Sequence, residues 1–279
     1  MSKKILVIMP TYNREEFLDK AIQSVLSQTH DNLLLCIVDD CSTDSSLAIA
    51  NKYKKEDDRV LVLKNSENSG CYAARNLGLL KCKDLDWDLF TIHDSDDYSD
   101  PERLREISKP LSNPSVLGLK TTYTRVNRKG EPQTCRDNPS KIDQYASEGI
   151  AIFPKETFNI IGFFDKTRFS GDTDYWWRLQ AFCHHNPQYI VGSHTQPLYS
   201  AVLHDTNLTK IYNFETDRPK YFHKSKSDII NMSQSGSFRR DFWAGITLFF
   251  LILQYTKIYG MICFSHKFDY FCLKHNPSV

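Results

Sequence analysis

The chain has 279 residues, enough for one large domain or a domain with an appendage. With 41% hydrophobic and 25% charged residues it cannot be mainly disordered, collagenous or a disulfide framework. Lys and Arg number 35 against 34 Asp and Glu, a formal charge of +1, so no whole-chain attraction to nucleic acid is implied.

The first hundred residues alternate short apolar runs with helical patterns, which predicts α/β architecture: βαβ units around a mostly parallel central sheet flanked by helices. Residues 4–9 read as the first strand. Asn13 followed by Glu16 has the form of a capping box, and Phe17, Leu18, Ala21, Ile22, Val25 and Leu26 recur at helical spacing. The unbroken apolar run 33–38 suits a strand buried on both faces, and it stops at the polar segment 39–44. A third strand is expected over 60–63, a helix over 72–80, and a fourth strand over 89–92 ending in a second acidic cluster, His93 to Asp97. Asp100 before Pro101 marks the start of another helix. Further on, 116–126 reads as a strand, 127–130 as a turn, 172–182 as a helix and 197–203 as the last strand.

The tail differs in kind. Residues 1–205 carry 25 basic and 29 acidic side chains, whereas 206–279 carry 10 and 5. Within it, 242–256 is a run of 15 uncharged, apolar positions, short of the roughly 20 that span a bilayer. Residues 242–264 are expected to pack on the domain, to form a homo-oligomer contact, or to lie on the cytoplasmic membrane face as a peripheral helix. The eight cysteines include no Cys-x-x-Cys pair and no leader precedes the first strand, so a cytoplasmic location is expected.

In open α/β sheets ligands bind beyond the carboxyl ends of the strands, where three polar clusters gather: Pro10 to Asn13, Asp39 to Asp44 and Asp94 to Asp97. Each alone could be a turn or a helix cap. Asp94 and Asp96 lie two apart, so in extended backbone their carboxylates project to one side. With Asp97 adjacent, their repulsion calls for a positive charge, and a hard divalent ion bridging to a diphosphate would supply it. No two glycines lie two residues apart and no Gly-Lys-Ser/Thr occurs, which argues against dinucleotide-binding and P-loop readings.

A set of ordered motifs carries a family resemblance: Ile8-Met-Pro-Thr-Tyr-Asn13, Ser27-Gln-Thr29, Val38-Asp-Asp-Cys-Ser-Thr-Asp44, Asn68-Ser-Gly70 with Ala74-Arg-Asn-Leu-Gly78, His93-Asp-Ser-Asp-Asp97, Gly171-Asp-Thr-Asp174 and His204-Asp-Thr-Asn-Leu-Thr209. Over 3–209 the chain resembles the family 2 glycosyltransferases. That resemblance implies a GT-A catalytic domain over 1–209; the charge and apolar pattern of the tail make 210–279 a basic and apolar, partly helical extension. The resemblance also implies that Pro10, Thr11, Tyr12, Asn13, Asp40, Gly70, Arg75, Asp94 and Ser95 bind a nucleotide sugar. Thr11 and Tyr12 would line the base pocket, and Asp40 would accept a hydrogen bond from the base. Asp96 would hold Mn or Mg with His204 as a further ligand, Asp97 being the alternative to Asp96.

By the same resemblance Asp172 is the general base of an inverting transfer, although Gly171 stands where the family has Glu. The expected reaction moves one sugar from a nucleotide sugar, UDP-linked, to a hydroxyl of a carbohydrate or lipid-linked acceptor in polysaccharide or glycoconjugate assembly. The absence of Gln-x-x-Arg-Trp argues against a processive synthase. The rival reading is a non-catalytic sugar- or nucleotide-binding protein on the same fold, with Gly171 as its support.

Overall fold

The computed structural model describes residues 2–135, 138–165, 167, 170–205 and 207. The extension over 210–279, with its apolar run, lies outside the described residues. In chain order the elements are β1 (Ile5–Thr11), α1 (Leu18–Leu26), β2 (Leu33–Asp39), α2 (Ser46–Glu56), β3 (Val60–Lys64), α3 (Cys71–Cys82), β4 (Leu89–Ile92), β5 (Tyr98–Ser99), α4 (Arg103–Ser108), β6 (Val116–Val126), β7 (Thr134–Cys135), β8 (Asn138–Ile142), β9 (Gln144–Pro154), α5 (Lys155–Ile161), α6 (Gly171–His185) and β10 (Ile190–Val202).

Eight strands form one mixed sheet in the order β3-β2-β1-β4-β9-β6-β10-β5, while β7 and β8 make a separate ribbon. Four neighbouring pairs are parallel, and three are antiparallel: β4 with β9, β9 with β6, and β10 with β5. The parallel character expected from sequence therefore holds for β3-β2-β1-β4 and again for β6-β10, with β9 reversed between them.

The strand alternation explains the three layers. Ile5, Val7 and Met9 of β1, with Leu33, Leu35 and Ile37 of β2, pack against Leu18, Ala21, Ile22 and Val25 on one face of α1. Leu6, Ile8, Cys36 and Val38 point the other way, into a cluster with Ala74 and Leu79 of α3 and Tyr175, Trp176 and Leu179 of α6. Each fully buried aliphatic side chain there contributes about 1.5–3 kcal/mol of transfer free energy, so both faces of the central strands are closed by helices.

Because β1, β2 and β4 are parallel, the segments that follow them emerge at one edge. β6 and β10, antiparallel to β9, end at that edge too, which brings His204 next to the loop after β4.

Two helix starts differ from expectation. Asn13 does not cap α1: it adopts a left-handed backbone (φ 50°), and its Oδ1 accepts the Thr43 N–H at 2.8 Å. α1 begins at Leu18 instead, after a turn closed by the Arg14 carbonyl. Likewise Asp100 accepts the Glu102 N–H at 2.9 Å, and α4 starts at Arg103.

Candidate active site

The loop after β1 is laced to the loop after β2. Asn13 N–H donates to Ser42 Oγ (3.1 Å), Arg14 N–H to Ser46 Oγ (2.8 Å) and Glu15 N–H to Asp44 (3.0 Å). Asn13 is thereby a loop-fixing residue. Pro10 is buried within β1 opposite Val38, while Tyr12 stands 42% exposed with its ring open to a partner. Thr11 is buried, and its Oγ1 has no hydrogen-bond partner among the described residues.

Asp40, 3% exposed, is heavily engaged. Its Oδ1 accepts from Asn65 Nδ2 (2.6 Å) and the Ser69 N–H (3.0 Å), and its Oδ2 from the Gly70 N–H (2.8 Å). A carboxylate has about four acceptor positions, so Asp40 primarily shapes the entry to α3 and retains little capacity for a base. Gly70 holds φ at 89°, a conformation that suits glycine and turns the chain into the helix.

The acidic loop after β4 separates three carboxylates that are adjacent in sequence. Asp94 pairs with Arg75 (Oδ1 to Nη2, 3.1 Å) and is the most open, at 39% side-chain exposure. Asp96 Oδ2 receives both Arg14 Nε and His204 Nε2, each at 3.0 Å. Burial works against charge on Asp96, but the hydrogen bonds and charges of His204 and Arg14 prevail and hold it below the usual carboxylate range.

Asp97 turns inward, where its Oδ1 accepts the Val202 N–H at 2.8 Å. Burial, and then the charges of Asp96 and Asp94, push its carboxyl well above the ordinary range. Asp97 is thus a strand-fixing acid, not an alternative to Asp96. Ser95, 5% exposed, lies between Asp94 and Asp96. His93 beneath them bonds the Asp94 carbonyl and Ser99 Oγ, and burial keeps it neutral, with its pKa pushed down to about 3.

Asp97→Asn is expected to keep the wild-type denaturation midpoint, since an amide oxygen still accepts the Val202 N–H. Asp97→Ala should lose about 1–3 kcal/mol in the same urea titration, because it strands a buried donor.

α3 and α6 complete the site. Arg75 is 4% exposed, with its guanidinium carbon 4.9 Å from the centroid of the Tyr72 ring. The Tyr72 hydroxyl donates to Asp172 Oδ1 at 2.9 Å, so Asp94, Arg75, Tyr72 and Asp172 form one continuous chain of contacts. Burial, then the Asp172 charge, keeps the Tyr72 phenol protonated and therefore a donor. Gly149 on β9 makes room for the carboxylate: a Cβ there would lie 2.8 Å from Asp172 Oδ2.

Gly171 has an equally local reason, since a Cβ at that position would meet the Tyr72 ring at 2.8 Å. The family's glutamate cannot stand beside this tyrosine. Asp174, the other carboxylate of the Gly171-Asp-Thr-Asp174 motif, is buried in an ion pair with Arg178 (2.8 Å), and Tyr175 and Trp176 are core residues.

Among the described residues no three His, Cys, Asp or Glu side chains converge as a ready-made cation cage. Asp96 and His204 do meet, giving one carboxylate and one imidazole. That pair suits Mn or Mg when substrate oxygens and water complete the shell. The His204 ring is held in place by Phe17, stacked at 4.5 Å between centroids, and its backbone N–H bonds Asn207 Oδ1 at 2.6 Å. Arg14, Phe17 and Tyr72 also belong to the site, although none of them is a motif residue with an expected role. Tyr72 was the most accessible of these, since it lies three residues before Arg75 and so shares its face of α3.

Known proteins are similar to this chain in sequence and in fold. The family model described as Glycosyl transferase family 2 matches residues 6–207. The chain is 39% identical over 114 residues to an uncharacterized glycosyltransferase of Haemophilus influenzae, a stretch covering 40% of this chain and 44% of that protein. It is 39% identical over 137 residues to the poly(ribitol-phosphate) beta-glucosyltransferase of Bacillus spizizenii, covering 47% and 21%. These matches thus span less than two thirds of the relatives' own length.

Among solved structures, S. aureus TarS 1-349 in complex with UDP-GlcNAc superposes with a TM-score of 0.57 at 22% identity, over 73% of this chain and 60% of that one. The mannosyltransferase PcManGT from Pyrobaculum calidifontis, in complex with GDP-Man and Mn2+, gives 0.54 at 17% identity, over 75% and 59%. The sheet with its acid-lined edge is therefore a GT-A glycosyltransferase fold. The chain belongs to glycosyl transferase family 2.

Proposed function

We propose that the protein is an inverting glycosyltransferase that moves a single sugar from a UDP-sugar to an acceptor hydroxyl, with a divalent metal bound. The observation that carries this reading is the contact chain from Asp94 through Arg75 and Tyr72 to Asp172, beside the Asp96–His204 pair at the ligand edge of the sheet. It supports a single site that combines anion-binding groups with a separate half-buried carboxylate. The exposed ring of Tyr12 provides a stacking surface for a nucleobase.

Asp172 takes the proton of the acceptor hydroxyl as its oxygen bonds to the anomeric carbon, while the bond from that carbon to the diphosphate breaks. Tyr72 orients the carboxylate from one side and the Gly149 backbone leaves it room on the other. Arg75 faces the negative charge that accumulates on the departing diphosphate, and Asp94 keeps that guanidinium in place. A Mn or Mg ion held by Asp96 and His204 would supply further charge neutralisation there.

The UDP-GlcNAc in the TarS structure supports a uridine nucleotide, and the GDP-Man of PcManGT supports nucleotide sugars more broadly. The name of the Bacillus spizizenii relative supports a role in assembling cell-surface polymers. Because Tyr72 fills the space beside Gly171, the missing glutamate does not by itself favour a non-catalytic binder.

Thermal-shift titration tests the donor. UDP-GlcNAc or UDP-glucose with Mn at about 100 times Kd should stabilise by roughly 2.7 kcal/mol, several degrees in Tm, and GDP-mannose by less. Stabilisation by GDP-mannose alone would reassign the nucleotide. No response to any of the three would sink the reading.

A further inference from the structure

We propose that Arg14 is an internal counter-ion that competes with the divalent metal for Asp96, so that metal entry requires the guanidinium to leave. The proposal rests on the metal reading given above. Its basis is a convergence on a single atom: Asp96 Oδ2 accepts from Arg14 Nε at 3.0 Å and lies 3.0 Å from His204 Nε2, which also contacts Asn207 Nδ2 at 3.0 Å. A metal bound to that oxygen and to His204 Nε2 would sit within a few ångströms of the guanidinium. Two cations so close, at a carboxylate only 15% exposed, repel strongly.

Clustered aspartates call for a compensating positive charge. Here two arginines already provide it, one on Asp94 and one on Asp96, while Asp97 turns inward and accepts the Val202 N–H. Without metal the loop is therefore compensated rather than poised for a cation.

The geometry also gives Arg14 somewhere to go. Its backbone N–H is fixed to Ser46 Oγ at 2.8 Å, so the turn stays in place while the side chain moves. Its Nη1 already lies 3.1 Å from the Asn13 carbonyl and 3.4 Å from that of Tyr12, acceptors that remain after Asp96 is surrendered. His204 is stacked on Phe17 and its ring stays put; to ligate the metal it must present an unprotonated Nε2, with the proton on Nδ1, so Arg14 is the one side chain that has to move.

The test is Mn2+ binding to the full chain, read by electron paramagnetic resonance of free Mn2+, for wild type, Arg14→Gln and Asp96→Asn. Arg14→Gln should bind Mn2+ about five- to tenfold more tightly than wild type, the change expected from releasing one partly buried ion pair. It should melt lower without metal and gain more from added Mn2+ than wild type does. Asp96→Asn should bind more weakly than either.

Equal or weaker binding by Arg14→Gln, with wild type binding and Asp96→Asn failing, overturns the competition and leaves the metal site standing. No binding by wild type or Arg14→Gln, even with UDP, overturns both. Should Arg14→Gln not fold, Arg14→Lys keeps the charge but loses Nε and the planar fork. Two- to threefold tighter binding by that variant, roughly, supports the proposal, and unchanged or weaker binding overturns it.

Discussion

Asp172→Asn is expected to lower kcat by about 10²- to 10⁴-fold, the usual contribution of a positioned general base, while leaving the Kd for the UDP-sugar within about threefold of wild type. The asparagine is close to isosteric. Its Oδ1 can still accept from Tyr72 and from the Thr173 N–H, both 2.9 Å away in the wild type, so the start of α6 should keep its geometry. What disappears is the capacity to take a proton from the acceptor. Single-turnover transfer measured beside equilibrium donor binding separates the two effects. A parallel loss of both would instead assign Asp172 to donor binding, and unchanged turnover would move the base elsewhere. Asp174 is poorly placed to take over, being 2% exposed and paired with Arg178.

The elements whose apolar period is strong were legible in the sequence. β4 occupies 89–92 and β6 116–126, as read: the first is a short wholly apolar-and-threonine run, and the second is rich in Val, Leu, Thr and Tyr between the turn residues Asn113-Pro114 and Asn127. α2 was not assigned because its inward face is thin: Ser46, Ala50 and Tyr53 are buried in a segment otherwise rich in lysine and polar groups. β9 escaped notice because its first half is exposed and only its second half, from Gly149 to Phe153, is closed by packing.

At the site, motif order located the residues but not their partners. Asp40, Asp94, Asp96, Asp172 and His204 all reach the carboxyl edge of the sheet, yet which arginine compensates which acid depends on contacts between residues far apart in sequence. Arg14 meets Asp96 across 82 positions and Tyr72 meets Asp172 across 100. Gly171 shows the same limit. In sequence it is a missing acid, whereas in the structure it is the space that the Tyr72 ring requires.

Arg75→Met should separate binding from stability more sharply than any other substitution at this site. Arg75 is enclosed, yet among the described residues only Nη2 of its three guanidinium nitrogens has a hydrogen-bond partner, Asp94, while Nε and Nη1 have none. Buried charged donors without acceptors are costly, and such a cost is retained where a ligand removes it. Methionine fills much of the same volume without that penalty, and the Asp94 carboxylate it leaves behind is open enough to be solvated, so urea unfolding should change by no more than about 1–2 kcal/mol.

Donor affinity should fall far more, by about 10²-fold, since a charge-assisted hydrogen bond to a diphosphate contributes about 1.5–3 kcal/mol and Arg75 has two unused donor nitrogens. Arg75→Lys should recover only part of this, because an ammonium supplies the charge but not the planar fork. Calorimetric titration with UDP beside urea denaturation distinguishes the outcomes. If the methionine variant loses several kcal/mol of stability and binds UDP normally once folded, Arg75 is a core cation and the diphosphate lies elsewhere.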